Sequence, residues 1–277
     1  MMNTFQLNDG HHLPVIGFGT SPLKGPDAVA AVLSALEAGY RLIDSAVNYQ
    51  NETEVGEAVR ASGLDRDEVL VTTKVPGRFH ARELAVRSIE DSLARMRLEV
   101  LDLVLIHWPN PSRDLYVEAW EGLVECRSRG LVRSIGVSNF KEHHLDRIIA
   151  ATGVTPAVNQ VEVHPRFPQT ELLELHRRLG IVTESWSPLG KGTVDLAAQP
   201  IAAAVEAHDV TAAQVILRWH LQRYALPLPK SASPQRQREN LDLFGFRLSD
   251  DEVDAITAMG VDSGRRFDGD PDTHEEM

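Results

Sequence analysis

Eight short apolar or β-branched runs recur along this chain with helical patterns between them, and that alternation limits the possible folds more than any other feature of the sequence. The runs are LPVIGFGT from Leu13, YRLIDSA from Tyr40, VLVTTKV from Val69, LDLVLIHW from Leu101, LVRSIGVSN from Leu131, PAVNQVEV from Pro156, IVTESWSP from Ile181 and ALPLPKS from Ala225. Each reads as a buried parallel strand. Between the first two, Val29, Val32, Leu33 and Leu36 mark one face of a helix over 27–38, with Asp27 as its N-cap and Gly39 at its end. Leu172, Leu175 and Leu179 stripe another helix that Gly180 closes; Leu145, Ile148 and Ile149 stripe a third that begins after Ser138 and Asn139. Most runs follow the preceding one at the length of one βαβ unit, and right-handed crossovers of that size close into a (β/α)8 (TIM) barrel. An open doubly wound sheet fits less well, because GFGTSPL has two glycines and then Thr20, Ser21 and Pro22 where a dinucleotide fingerprint needs a third glycine.

Ahead of the first barrel strand, TFQLN and HHLPV flank Asp9-Gly10, a pair suited to a tight turn, so a β-hairpin is expected to plug one end of the barrel. Residues 189–200 and the acidic C-terminal loop 260–277 fit neither strand nor simple helix and are expected to be loops or lids. With 277 residues and 43% hydrophobic content, the whole chain, 1–277, is expected to form a single domain, a monomer whose core needs no partner to close. The opening MMNTFQLNDG lacks the charged and apolar segments of a leader, and no run approaches the roughly 20 apolar residues of a membrane span, so a cytoplasmic location is expected. A formal charge of -12 opposes attraction to nucleic acid or anionic lipid; an anionic ligand must be held by local positive charge. The one cysteine, Cys126, excludes an internal disulfide and sits in an amphipathic run as a core or groove-facing thiol. His11-His12 and Glu142-His143-His144 lack the spaced ligand set of a zinc site, so solvated histidines and no metal are expected.

A barrel collects its chemistry at the carboxyl ends of its strands, so the polar residues that end the apolar runs are the informative ones. Asp44 ends the second run, Lys74 the third, His107 the fourth, Ser138 and Asn139 the fifth; Gln160 lies late in the sixth, Trp186 ends the seventh and Lys230 the eighth. Singly, each has an ordinary structural explanation as a helix cap, a solvated lysine or a satisfied core histidine. An Asp, a Lys and a His at the ends of three successive strands are better explained as one site.

The segment DSAVNYQNE (44–52), with Lys74 in TTKV and His107 in LIHWP, resembles the aldo-keto reductase family. GFGT at 17–20, SIGVSNF at 134–140, NQVEVHP at 159–165, SWSPLG at 185–190 and PKSASPQRQREN at 229–240 extend the likeness over nearly the whole chain, in family order. Within the family the likeness is to the bacterial diketogluconate and methylglyoxal reductase group, because the stacking position carries Trp186 where many members have Tyr. The resemblance implies an NADPH-dependent oxidoreductase that reduces the carbonyl group of a small molecule to an alcohol. It implies Tyr49 as proton donor, Lys74 and Asp44 as the pair that tunes it, and His107 as the group that orients the substrate oxygen. A tyrosine with a free pKa of about 10 needs a cation nearby. At ~4 Å and an effective dielectric of ~20, Lys74 would supply about 4 kcal/mol, which Asp44 partly cancels, so a lowered pKa is expected.

For NADPH the family pattern implies Trp186 against the nicotinamide, Ser138, Asn139 and Gln160 on its carboxamide, with Asp44 nearby, and Gly19, Thr20, Ser187, Leu189 and Gly190 along the ribose and pyrophosphate. Lys230, Ser231 and Arg236 resemble the clamp for the adenosine 2′-phosphate, and Glu239 and Asn240 the adenine contacts. Trp108, Phe18 and the 260–277 loop are candidate substrate walls. Relatives often carry aromatics where this chain has Ser21-Pro22 and Pro76-Gly77-Arg78, which implies a more open or more polar pocket. Two rivals compete: a Schiff-base enzyme built on Lys74, which a neighbouring carboxylate disfavours by keeping the lysine charged, and an NADPH-binding redox sensor without turnover.

Overall fold

In the computed structural model, which describes residues 3–266 and 269–277, all eight expected runs enter one parallel sheet. Strands β1 (Thr4–Gln6) and β2 (His12–Pro14) form the antiparallel hairpin, with Phe5 opposite Leu13. The parallel strands are β3 (Phe18–Gly19), β4 (Leu42–Asp44), β5 (Leu70–Val75), β6 (Leu101–Ile106), β7 (Val132–Ser138), β8 (Val158–Glu162), β9 (Val182–Trp186) and β10 (Ala225–Pro227), adjacent in chain order. The sheet closes without a regular ladder between its first and last strands. Gly17 N and Gly19 N donate to the carbonyls of Pro227 and Pro229, both at 3.1 Å, and the prolines, lacking N–H, return nothing. A Cβ on Gly17 would lie 2.6 Å from Leu228 Cδ2, and one on Gly19 3.0 Å from the Leu228 carbonyl oxygen, so a larger residue at either position would have to displace Leu228 from the closure.

Period-two alternation divides the strands. Leu42, Leu103, Leu105, Val158, Leu226 and Leu228 fill the interior with Leu7 and Leu13, so the hairpin caps that end. Ile43, Val71, Val104, Ile106, Ile135 and Val137 face the helices. The same alternation corrects one expectation. With Gly17 and Gly19 facing inward, Phe18 points out into the helical layer, fully buried and edge-on to Tyr40 at 5.5 Å, and forms no wall of the site.

Helices α1 (Gly25–Ala38), α2 (Glu52–Ala61), α3 (Arg82–Met96), α4 (Tyr116–Ser128), α5 (Glu142–Thr152) and α6 (Thr170–Leu179) each follow one strand; α7 (Gln199–His208) and α8 (Ala212–Gln222) both lie between β9 and β10, and α9 (Pro234–Leu241) and α10 (Asp250–Thr257) end the order. Helix α1 begins two residues before Asp27, because Pro26 fits the first turn; Asp27 lies within that turn rather than capping it, and Gly39 ends the helix at φ 116°. Cys126 is buried on α4, and burial pushes its thiol up to about 11, which leaves it inert. Of the stretch 189–200, Gly190–Gly192 forms a tight turn and the end joins α7. Of the 260–277 loop, Phe267 and Asp268 lie outside the described residues. Among the described residues no helix is long and apolar enough to cross a membrane.

Candidate active site

Asp44 and Lys74 leave the ends of β4 and β5 on the inward face, where Lys74 Nζ donates to both Asp44 carboxylate oxygens (2.7 and 2.8 Å), to Ser45 O (2.9 Å) and to Tyr49 OH (3.3 Å). Tyr49 rides on a single turn after β4, Val47–Tyr49, ended by Gln50 in the left-handed region. Fully buried Asn51 fastens that turn: it accepts from Ser45 Oγ (2.7 Å) and donates to Thr20 Oγ1 (3.0 Å) and Leu23 O (2.9 Å). Glu52 adds a second tether through Thr73 Oγ1 (2.6 Å) and Arg95 Nε (2.6 Å). Across the barrel, Gln160 Nε2 donates to Asp44 Oδ1 and Glu184 Oε2, both at 2.8 Å. Asn139 holds a left-handed backbone (φ 63°) that costs on the order of 1 kcal/mol, and its side chain donates to His107 O and Ser138 Oγ (both 3.0 Å) and accepts from Trp186 Nε1 (2.8 Å). That last bond fixes the indole plane.

Burial works against the charge on Lys74, but Asp44 and then Tyr49 outweigh it and hold the ammonium above its ordinary range. Tyr49 departs from the lowered value expected of it. Its desolvation exceeds the pull of Lys74, and Asp44 and Glu276 add to the rise, so the phenol keeps its proton at neutral pH. Glu184, fully buried beside Asp44, is raised from 4.5 to about 7, chiefly by burial and next by the Asp44 charge. An unfolded Glu184 ionises near 4.5, so between 4.5 and about 7 the native state holds the extra proton. Its contribution to stability is complete below the lower value and lost as pH rises through the upper one. Glu184→Gln, which keeps an acceptor for Gln160, should therefore be more stable than the parent. The advantage in thermal unfolding should widen from about pH 5 to about pH 7 and then level off, near 3 kcal/mol at most. A constant or shrinking difference would contradict a buried, proton-holding carboxyl.

A cavity of roughly 630 Å³ opens at this end of the barrel, lined among others by Gly19, Asp44, Tyr49, His107, Trp108, Ser138, Asn139, Gln160, Trp186, Ser187, Leu189 and Lys230. Lys74 stands behind Asp44, off the wall. Beyond the walls lie buried Thr20, bonded to Asp44 O at 2.8 Å; Gly190; Ser231, whose Oγ accepts from Ser233 N (3.1 Å); exposed Arg236; Glu239, bonded to Gln235 (2.7 Å); and buried Asn240. Several participants were not singled out in the sequence. Lys191, between two glycines, lines the cavity with Lys230, and its pKa is lowered by burial and by the like charges of Arg266 and Lys230. Three cations drawn together in an acidic protein suit a polyanion, so the cavity fits a phosphate-bearing cofactor. The C-terminal loop also reaches the mouth: His274 lies on Trp108 (ring centroids 4.1 Å), Lys141 Nζ bonds Asp270 (2.5 Å) and Asp272 (2.6 Å), and Glu276 Oε1 is 3.1 Å from His107 Nδ1. His144 is buried rather than solvated as expected, and ligand atoms of His143, His144 and Asp272 lie within 4.8 Å of one another, with Lys141 shared between Asp270 and Asp272 beside them.

A family model described as the aldo/keto reductase family matches residues 15–260. The 2,5-diketo-D-gluconic acid reductase B of Corynebacterium sp. (strain SHS752001) is 56% identical over 274 residues, covering 99% of this chain and 98% of that protein. Among solved structures, a variant of Gox0644 in complex with NADPH superposes with TM-score 0.94 at 43% identity, covering 99% of each chain. The aldo-keto reductase of Bombyx mori in complex with NADP gives TM-score 0.91 at 33% identity, covering 99% of this chain and 98% of that one.

Proposed function

The chain belongs to the aldo/keto reductase family, and from that premise we propose that it is an NADPH-dependent reductase of aldehyde or ketone groups in small molecules, with Tyr49 as general acid. The observation that carries the reading is the hydrogen bond from buried Lys74 to the Tyr49 hydroxyl at the cavity wall, with Asp44 behind it. NADPH, when bound, would supply a hydride to the carbonyl carbon. The protein's part is to meet the charge that builds on oxygen. Tyr49 gives its proton to the carbonyl oxygen as the C=O π bond breaks and negative charge builds there; Lys74 stabilises the phenolate left behind, and Asp44 keeps Lys74 charged. His107 donates to the same oxygen and sets its angle.

Ser138, Asn139, Gln160 and Trp186 would hold the nicotinamide end; Gly19, Thr20, Ser187, Leu189, Gly190 and Lys191 the path of the pyrophosphate; Lys230, Ser231, Arg236, Glu239 and Asn240 the adenosine end. Since a guanidinium suits a phosphate dianion, Arg236→Ala should raise the Michaelis constant for NADPH about 10- to 100-fold, and that for NADH much less. Equal effects would remove Arg236 from the 2′-phosphate site. The diketogluconic acid relative makes a keto sugar acid the first substrate to try. The proposal takes the protein to be a single-domain cytoplasmic monomer. Its test is NADPH oxidation against small dicarbonyls, keto-sugar acids and aromatic aldehydes. Tight NADPH binding with no turnover of any of them would favour a redox sensor instead.

A further inference from the structure

Glu276 is a carboxylate that the tertiary structure brings to the reacting end of the cavity, beside His107, without a task in carbonyl reduction. Its side chain is 17% exposed. Oε1 lies 3.1 Å from His107 Nδ1 and accepts from Asn48 Nδ2. Arg78 donates to the oxygen of the same Asn48 amide. Burial opposes ionisation, yet His107, the Asn48 hydrogen bond and the Arg78 charge together hold the Glu276 carboxyl below the usual carboxylate range. The seat therefore favours an anion.

The fit of Glu276 in that seat is incomplete. Oε2 is buried and has no hydrogen-bond partner among the described residues, and neither ring nitrogen of fully buried His80, which feels the Glu276 charge, has one. The charge also works against the chemistry. It raises the Tyr49 pKa and would repel the alkoxide forming beside it. The loop backbone is anchored independently of this carboxylate, through Gly77 N to Glu276 O (3.1 Å), Lys141 to Asp270 and Asp272, and His274 on Trp108. The side chain can leave while the loop stays. Arg78 is exposed at the rim, and no carboxylate of the described residues lies within ion-pair distance of it, so its guanidinium fork is open to a ligand's carboxylate.

We propose that Arg78 and Asn48 form a subsite for a carboxylate on the substrate, and that the Glu276 side chain occupies this subsite only until an acidic carbonyl compound displaces it. The inference rests on the carbonyl-reduction reading and assigns it a substrate class: aldehydes or ketones that carry a carboxylate a few bonds from the carbonyl. Arg78 and Asn48 select the substrate; Glu276 is a placeholder that discriminates against neutral carbonyls by leaving them to expel it unaided.

Two measurements separate the subsite from the reaction. In the first, succinate is titrated calorimetrically into the NADP-loaded protein, which needs no turnover. Arg78→Ala should weaken binding at least tenfold, Arg78→Lys less, and Glu276→Gln should tighten it several-fold. Equal affinity in the parent and Arg78→Ala, no binding to the parent, or weaker binding in Glu276→Gln would each overturn the subsite. In the second, Michaelis constants are compared for succinic semialdehyde and butyraldehyde, which differ by the carboxylate. Arg78→Ala should raise the first at least tenfold and the second less than twofold; parallel changes overturn the proposal. Calorimetry as expected together with no NADPH oxidation on any carbonyl would retain the anion subsite and reject the reductase.

Discussion

Tyr49→Phe is expected to lower kcat for carbonyl reduction by about 10²- to 10⁴-fold, the contribution of a positioned general acid, while leaving NADPH binding within about twofold. The hydroxyl is the only part of the side chain removed, and it is the atom that receives the Lys74 hydrogen bond at 3.3 Å. The ring remains, edge-on to His107 at 5.7 Å, so the cavity keeps its shape. The pairing of readouts carries the argument: NADPH oxidation reports proton delivery, and quenching of tryptophan emission by NADPH, sensitive to Trp186, reports the cofactor pose. A Tyr49→Phe protein that reduces aldehydes within tenfold of the parent would remove Tyr49 from the chemistry. A protein that had lost NADPH binding as well would point to a misplaced loop.

Lys74→Met should be the most destabilising substitution at the site. Lys74 is fully buried and Asp44 nearly so, and Nζ satisfies both carboxylate oxygens. Removing the ammonium leaves an uncompensated buried charge, at a cost of about 3–5 kcal/mol and a fall in Tm on the order of 10 °C. A second substitution tests the cause. Asp44→Asn in the Lys74→Met background removes the stranded charge and should recover most of the stability, because a buried ion pair adds little over neutral groups of similar size. Activity should not return, since no cation then faces Tyr49. If the double variant is no more stable than Lys74→Met alone, the loss reflects packing rather than electrostatics.

Much of the site was legible before any coordinates, for a geometric reason. Parallel strands of one barrel share a carboxyl end, so Asp44, Lys74, His107, Gln160 and Trp186 needed only their places at strand ends to be gathered. The residues that escaped notice lacked such an address. Glu184 sits within an apolar run, and its proximity to Asp44 follows from the register of β8 and β9 and the reach of Gln160 across the interior. Lys191 follows a strand by several residues, in a turn whose direction the sequence does not encode locally. Phe18 was placed on the wrong face because one aromatic between two glycines gives no alternating pattern to read; the close approach of Leu228 to Gly17 and Gly19 assigns the faces. The Tyr49 pKa moved opposite to expectation because a cation's pull depends on a known neighbour, whereas desolvation depends on everything packed around the ring.

The sequence by itself determined the eightfold strand–helix alternation, the hairpin, the glycine ends of helices such as α1 and α6 and the set of polar strand termini, because these rest on periodicity and on local backbone preference. Only the tertiary structure decided how the barrel closes through two glycines and two prolines, which carboxyl keeps its proton, and that Glu276 lies beside His107, 169 residues away in the chain. Those outcomes depend on distances across the barrel and on exclusion of water, and neither is a property of any stretch of sequence taken alone.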